Sequence, residues 1–197
     1  RFLYSAPLVA VLVLVYAGAS GQGWPGTNAR FWGFVVTGGL AQMLATACVV
    51  ALFARRNFTV GITLKKTEVI LTAGFGLLIL GEAVSASVLV AIVVGFVGVL
   101  LLSDPPKGAV PLRWRARIFN AASGYGLASG VLFGISAVGY RGASLALEAG
   151  DVMLRASFTL SAATAVQTLI LGLWLFLRER EEIGKVVASW RVSALVG

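Results

Sequence analysis

Long apolar runs, closed by charged or proline-containing breaks, organise this chain along its whole length. A helix that crosses about 30 Å of hydrocarbon needs about 20 mostly apolar residues. That ruler picks out Phe2 to Ala19, Phe31 to Ala54, Phe58 to Leu80, Ala83 to Ser103, Gly124 to Tyr140 and Ala156 to Leu177. The fifth run is open to extension past Arg141 to Leu147, and a further run begins near Val186. The third is interrupted by Lys65, Lys66 and Glu68. The runs are continuous, without the two-residue alternation of barrel strands about 10 residues long, so a membrane β-barrel is excluded. Most connections are short, apart from Gly18 to Arg30 and Asp104 to Ser123, and short connections make neighbouring helices antiparallel. The pattern predicts an all-α, polytopic transmembrane helix bundle.

Composition turns that pattern into a membrane assignment. Hydrophobic residues make up 58% of the chain and charged ones 12%, against about 25% charged in a soluble domain. A chain of this size has no core large enough to hide so much apolar surface, and its mean hydropathy is +0.92. Disordered and disulfide-stapled classes are excluded as well: Cys48 is the single cysteine. The net charge of +8 would suggest a nucleic-acid partner if the basic residues were dispersed. They instead cap the apolar runs. Assigned to alternate sides, 13 Lys and Arg fall on the side of Arg1 and three (Arg30, Arg141 and Arg155) on the other. The excess marks the Arg1 side as cytoplasmic, and the partner of this charge is a lipid bilayer. Trp24, Trp32, Trp114, Trp174 and Trp190 lie near run ends or in loops, as an interfacial belt requires. The chain opens without Met and stops inside an apolar run, which predicts an internal fragment of a longer protein.

Polar positions inside apolar runs are the candidate chemistry, because a charge at mid-bilayer costs about 2.5–3.5 kcal/mol on insertion scales. Lys65 and Glu68 are three apart and share a helix face, whereas Lys66 points elsewhere. Two readings stand: the lysines snorkel to the interface with Glu68 neutralising one of them, or the three line a solute path. Glu82 follows Gly81 at a sharp turn and is either a helix-dipole partner or a gating group. Gln42, Thr46, Thr164 and Gln167 are uncharged candidates for lining a cavity or bridging helices. Gly126, Gly130 and Gly134 form a stripe down one face of the fifth run, and Gly95 and Gly98 add small positions to the fourth. Such faces permit close packing, and equally the sliding a transporter needs. With no His, no nucleotide-binding loop, no zinc spacing and no Ser-His or Cys-His arrangement, the sequence predicts no enzyme, no cofactor and no metal site.

The stretch LLILGEAVSASVLVAIVVGFVGVLLLS resembles the end of a five-helix EamA repeat of the drug/metabolite transporter superfamily. Leu80, Gly81 and Glu82 match its Leu-Gly-Glu turn, and Ala91, Gly98, Val99, Leu100 and Leu101 its aliphatic helix. RFLYSAPLVAVLVLV is similar to the opening of that repeat's second helix, and GLASGVLFGISAVGYRGA to the first helix of the second repeat. The resemblance covers essentially the whole chain. It implies two inverted five-helix repeats in the full-length protein, with residues 1–104 from the first, a linker at 105–123, and 124–197 opening the second. Glu68 departs from the pattern, since family members often carry Pro there. Family members also usually start in the cytoplasm, which would place Arg1 outside; the charge count places it inside, and an extra upstream helix or opposite insertion would reconcile the two.

The resemblance implies a secondary-active transporter, an exporter, of small organic metabolites in the plasma or inner membrane, working by alternating access. Lys65, Lys66, Glu68 and Gln42 are the expected solute or coupling contacts, and the lysines favour an anionic or zwitterionic solute. Glu82 is the expected turn or gating residue. A channel and a non-transporting scaffold subunit, which the glycine faces equally serve, are the alternatives, and a homodimer is the expected self-association.

Overall fold

The structure is a computed structural model and describes residues 2–55, 58–82, 85–102, 121–181 and 184. Among these it is all-helical, with no strand. The apolar runs set the elements. Helix α1 spans Phe2–Ser20, α2 Ala29–Phe53, α3 Phe58–Lys65 and α4 Glu68–Phe75. A π-helical turn, Gly76–Leu80, continues α4; then follow α5 Ala86–Leu102, α6 Ala121–Leu145 and α7 Val152–Arg178. Helices α2, α6 and α7 are each long and apolar enough to cross a membrane. The described apolar stretches of α1 and α5, Ser5–Ser20 and Ala86–Gly98, are shorter. Most of the expected linker, the run from Val186, Trp114 and Trp190 lie outside the described residues.

The third expected span is interrupted where its charges lie: α3 and α4 are separated by a short turn at Lys66 and Thr67, with Thr67 keeping helical dihedral angles (φ −61°, ψ −16°). At the break, the Lys66 N–H donates to Thr63 O (3.1 Å) and the Thr67 N–H to Leu64 O (3.1 Å), tighter i→i−3 bonds than an α-helix makes. The Thr67 hydroxyl also donates to Leu64 O at 2.7 Å, a side-chain bond that competes with the regular ladder. The run closes at Gly81, whose φ of +69° is open to glycine and strained for residues with a Cβ. Helix α5 starts at Ala86, so Glu82 lies in the connection ahead of that helix and not in its first turn.

The chain forms two compact units. The first holds residues 1–40 and 139–197: α1, the first part of α2, the end of α6, and α7. There α1 lies along α7, with Val13, Ala17 and Leu154 buried between Val9, Tyr16 and Phe158. A second cluster gathers Phe31, Val35, Ala143, Leu147 and Ala163. Small residues allow α2 and α6 to cross closely, since a Cβ on Gly139 would stand 3.0 Å from Gly38 Cα. The second unit, residues 41–138, holds the rest of α2, the broken helix, α5 and most of α6. Large apolar side chains face outward on both, among them Leu12, Val15, Val90, Val94, Leu169 and Leu173. A surface of that kind is stable against lipid chains and unstable against water.

A polar knot ties one end of the first unit. The Tyr16 hydroxyl donates to Asp151 Oδ2 (2.7 Å), as does Gln22 Nε2 (3.1 Å), while the Asp151 N–H donates to Gln22 Oε1 (2.9 Å). Asp151 is also the N-cap of α7, accepting from the Leu154 N–H at 2.7 Å. Asn28 does the same for α2 through the Phe31 N–H (2.8 Å) and donates to Ala146 O (3.0 Å). The Leu154 N–H, then the Tyr16 and Gln22 bonds, hold the Asp151 carboxyl below the ordinary carboxylate range. Because the folded value is the lower one, the stabilisation is complete above the unfolded value, about pH 4, and is lost as pH falls through the depressed folded value. An acid titration of thermal stability therefore shows a component below about pH 4 that Asp151→Asn removes, with a lower midpoint for the variant at neutral pH. An unchanged acid limb in the variant would show that the knot does not couple to folding.

Candidate functional site

The break in the third span lies in the second unit and carries the charged residues expected there. Lys65 ends α3 and Glu68 begins α4, and Lys65 Nζ meets Glu68 Oε2 at 3.3 Å. Both side chains are partly buried, 27% and 31% exposed, and Lys65 Nζ also lies 4.5 Å from the centre of the Phe133 ring. The ammonium is thus held by a carboxylate and by an aromatic face from α6. Lys66 is exposed and points away, as the three-residue spacing of the other two requires. Glu68 stands in the first turn of α4, where the helix dipole favours its negative charge.

The glycine stripe of α6 creates the room for this arrangement. Gly126 packs directly on the Gly61 backbone. A Cβ on Gly130 would stand 3.0 Å from both Lys65 O and Thr67 Oγ1 and 3.4 Å from the Glu68 nitrogen; one on Gly134 would stand 3.4 Å from the Phe75 ring and from the Thr72 nitrogen. The three glycines thus follow the broken helix from α3 through its break to the end of α4. A face without side chains lets α6 approach backbone to backbone, and irregular backbone at membrane depth is tolerated where protein covers it. Gly95 and Gly98 differ: among the described residues, a Cβ on either would meet nothing within 4 Å. The α6 glycines face another backbone, whereas among the described residues the α5 glycines face none.

The other candidates separate. Gln42 is half-buried in the second unit's part of α2, its carbonyl accepting from Thr46 Oγ1 at 2.8 Å. Glu82 is half-buried beside Gly81, and its N–H donates to Gly76 O at 3.3 Å. In the first unit, Thr164 gives its hydroxyl to Leu160 O and Ser161 O of its own helix. Gln167 instead bridges helices: its side-chain amide donates to Gly39 O on α2 (3.2 Å) and to the Tyr140 hydroxyl on α6 (3.0 Å). Asp151 and its partners Tyr16 and Gln22 are absent from the expected site residues. An Asp directly before an apolar stretch is a helix-start mark, but Arg155 interrupts that stretch and moves the apparent border of the run past it. Among the described residues no group of His, Cys, Asp and Glu side chains has the geometry of a metal site.

Comparison with protein-family models, with curated proteins and with solved structures returns no match.

Proposed function

We propose that this chain is part of a secondary-active membrane transporter that exports small organic metabolites by alternating access across the plasma or inner membrane. The carrying observation is the interruption of an apolar run at Lys66 and Thr67, with an ion pair between Lys65 and Glu68 beside it. Broken helices with charge at their ends are how secondary transporters build solute and ion sites within a membrane. The glycine face of α6 against that break supplies a contact at which helices can shift without side-chain interdigitation.

The chemistry follows from the pair. While Glu68 is ionised it holds Lys65, and the two charges cancel. Arrival of a solute carboxylate gives the ammonium a competing partner. An anionic or zwitterionic solute is the class that such an exchange serves. Lys66, exposed beside the break, adds attraction for the same class of solute.

The test uses the complete protein in cells and then in vesicles. Metabolites retained and released are profiled for wild type, Glu68→Gln and Lys66→Ala. A defined set of small polar metabolites that moves with wild type, falls to background with Glu68→Gln and is weakened by Lys66→Ala is the expected result. Unsaturable flux without counterflow would replace the carrier with a channel. No movement of any solute, with correct insertion, would leave the scaffold reading in its place.

A further inference from the structure

One face of α7 in the first unit carries two polar atoms that are buried and, among the described residues, without a hydrogen-bond partner: Arg155 Nε and Thr159 Oγ1. They are four residues apart, so their side chains neighbour each other on the helix, with Cβ atoms about 5–6 Å apart. Thr159 is 2% exposed, whereas Arg155 is half-buried as a residue with its Nε buried. Both observations run against ordinary behaviour. Thr37, Thr46, Thr164 and Ser157 on these helices give their hydroxyls to carbonyls of the preceding turn, while Thr159 does not. Arg155 has a carboxylate one turn before it, but Asp151 is engaged by Tyr16, Gln22 and the Leu154 N–H, and among the described residues no ion pair reaches Arg155.

We infer that Arg155 and Thr159 form a binding point for an oxyanion, a carboxylate or phosphate oxygen that accepts from Arg155 Nε and the Thr159 hydroxyl together. The donor set decides the class. An arginine side chain offers only donors and is never neutral in proteins, and a guanidinium edge is shaped for planar or tetrahedral oxyanions. The hydroxyl beside it supplies a further donor at the same depth. Buried donors left unmatched in a folded protein call for an unseen acceptor. The same chemistry occurs on a soluble solute and on a lipid headgroup. The solute case rests on the transport reading above; the binding point does not.

Phe158, between these two residues in sequence, lies edge-on to Trp24 with ring centres 6.0 Å apart, so tryptophan fluorescence provides a local reporter. The complete protein would be placed in nanodiscs of neutral phosphatidylcholine and titrated with sodium acetate and with inorganic phosphate at constant ionic strength. Parallel discs would contain phosphatidylglycerol and no added anion. Saturable response to acetate or phosphate in neutral discs, weakened about tenfold or more by Arg155→Gln and less by Arg155→Lys, supports a soluble ligand. The same response from phosphatidylglycerol alone, lost in the same variants, supports a lipid headgroup. Thr159→Val guards against misfolding: it removes an unmatched hydroxyl at nearly constant volume, so its ligand-free midpoint stays equal or rises while the anion response falls. No saturable response from either source, or responses unchanged in all three variants, would overturn the inference. Binding without metabolite flux would sink the transport reading and leave this site standing; flux without binding would do the reverse.

Discussion

Replacing Gly126 with alanine is expected to cost about 3 kcal/mol, the upper end for forcing one methyl group into a packed interior. The added Cβ would run into the carbonyl, carbonyl carbon and Cα of Gly61, all backbone atoms that cannot rotate away. A Cβ built on Gly61 would itself stand 2.5 Å from Ala122 O on the same helix α6, so the two helices are in contact over more than one residue. Gly130→Ala is milder, since its neighbours stand at 3.0 Å and one of them is the rotatable Thr67 hydroxyl. Gly95→Ala and Gly98→Ala provide the control. Among the described residues each meets nothing within 4 Å, and relief of glycine's backbone entropy is expected to stabilise α5 by up to about 1 kcal/mol. Unfolding in mixed detergent micelles, followed by circular dichroism, orders the four variants. Equal midpoints for Gly126→Ala and Gly95→Ala would show that the α6 stripe does not bear on the α3 backbone.

Gln167→Ala has the second largest expected effect, a loss of about 2–4 kcal/mol in the first unit, from a void plus severed hydrogen bonds. Gln167 is 1% exposed, and its amide joins Gly39 O and the Tyr140 hydroxyl, so one side chain links three helices. Truncation takes the amide away from both acceptors in an apolar interior, where an unmet polar group costs about 1–3 kcal/mol. Tyr140→Phe removes the opposite partner, and the double variant tests the coupling. If the two groups act through one another, the combined loss is smaller than the sum of the single losses. Strict additivity would show that the Gln167–Tyr140 bond contributes nothing of its own.

These two positions differ in how legible they are in the sequence. The spacing of Gly126, Gly130 and Gly134 marks a small-residue face by itself, because 3.6 residues per turn places every fourth position in a row. That spacing cannot say which backbone lies opposite. Gly95 and Gly98 present an equally good pattern and meet nothing among the described residues. For Gln167 the sequence leaves two roles open, lining a cavity or bridging helices; its bonds to Gly39 and Tyr140 make it a bridge. Spacing alone pairs Lys65 with Glu68, and their 3.3 Å contact follows from local geometry. The Phe133 ring beneath Lys65 comes from a residue 68 positions away, beyond the reach of local pattern.

The helical class and the placement of the apolar runs follow from the order of residues alone. Transfer into an apolar phase is nearly additive over residues, so a run announces itself wherever enough apolar residues are consecutive. Observed helix ends lie within a few residues of the run ends, except where Asp151 starts α7 ahead of Arg155. Packing between helices lays the α6 stripe over the turn at Lys66 and Thr67 and ties α7 to Tyr16 and Gln22 through Asp151. It also selects the polar atoms, Arg155 Nε and Thr159 Oγ1, that are left without partners among the described residues. Each of these depends on which backbones approach across long separations in the chain. That approach is a matter of shape and hydrogen-bond satisfaction between helices, and apolar content along one helix carries no record of it.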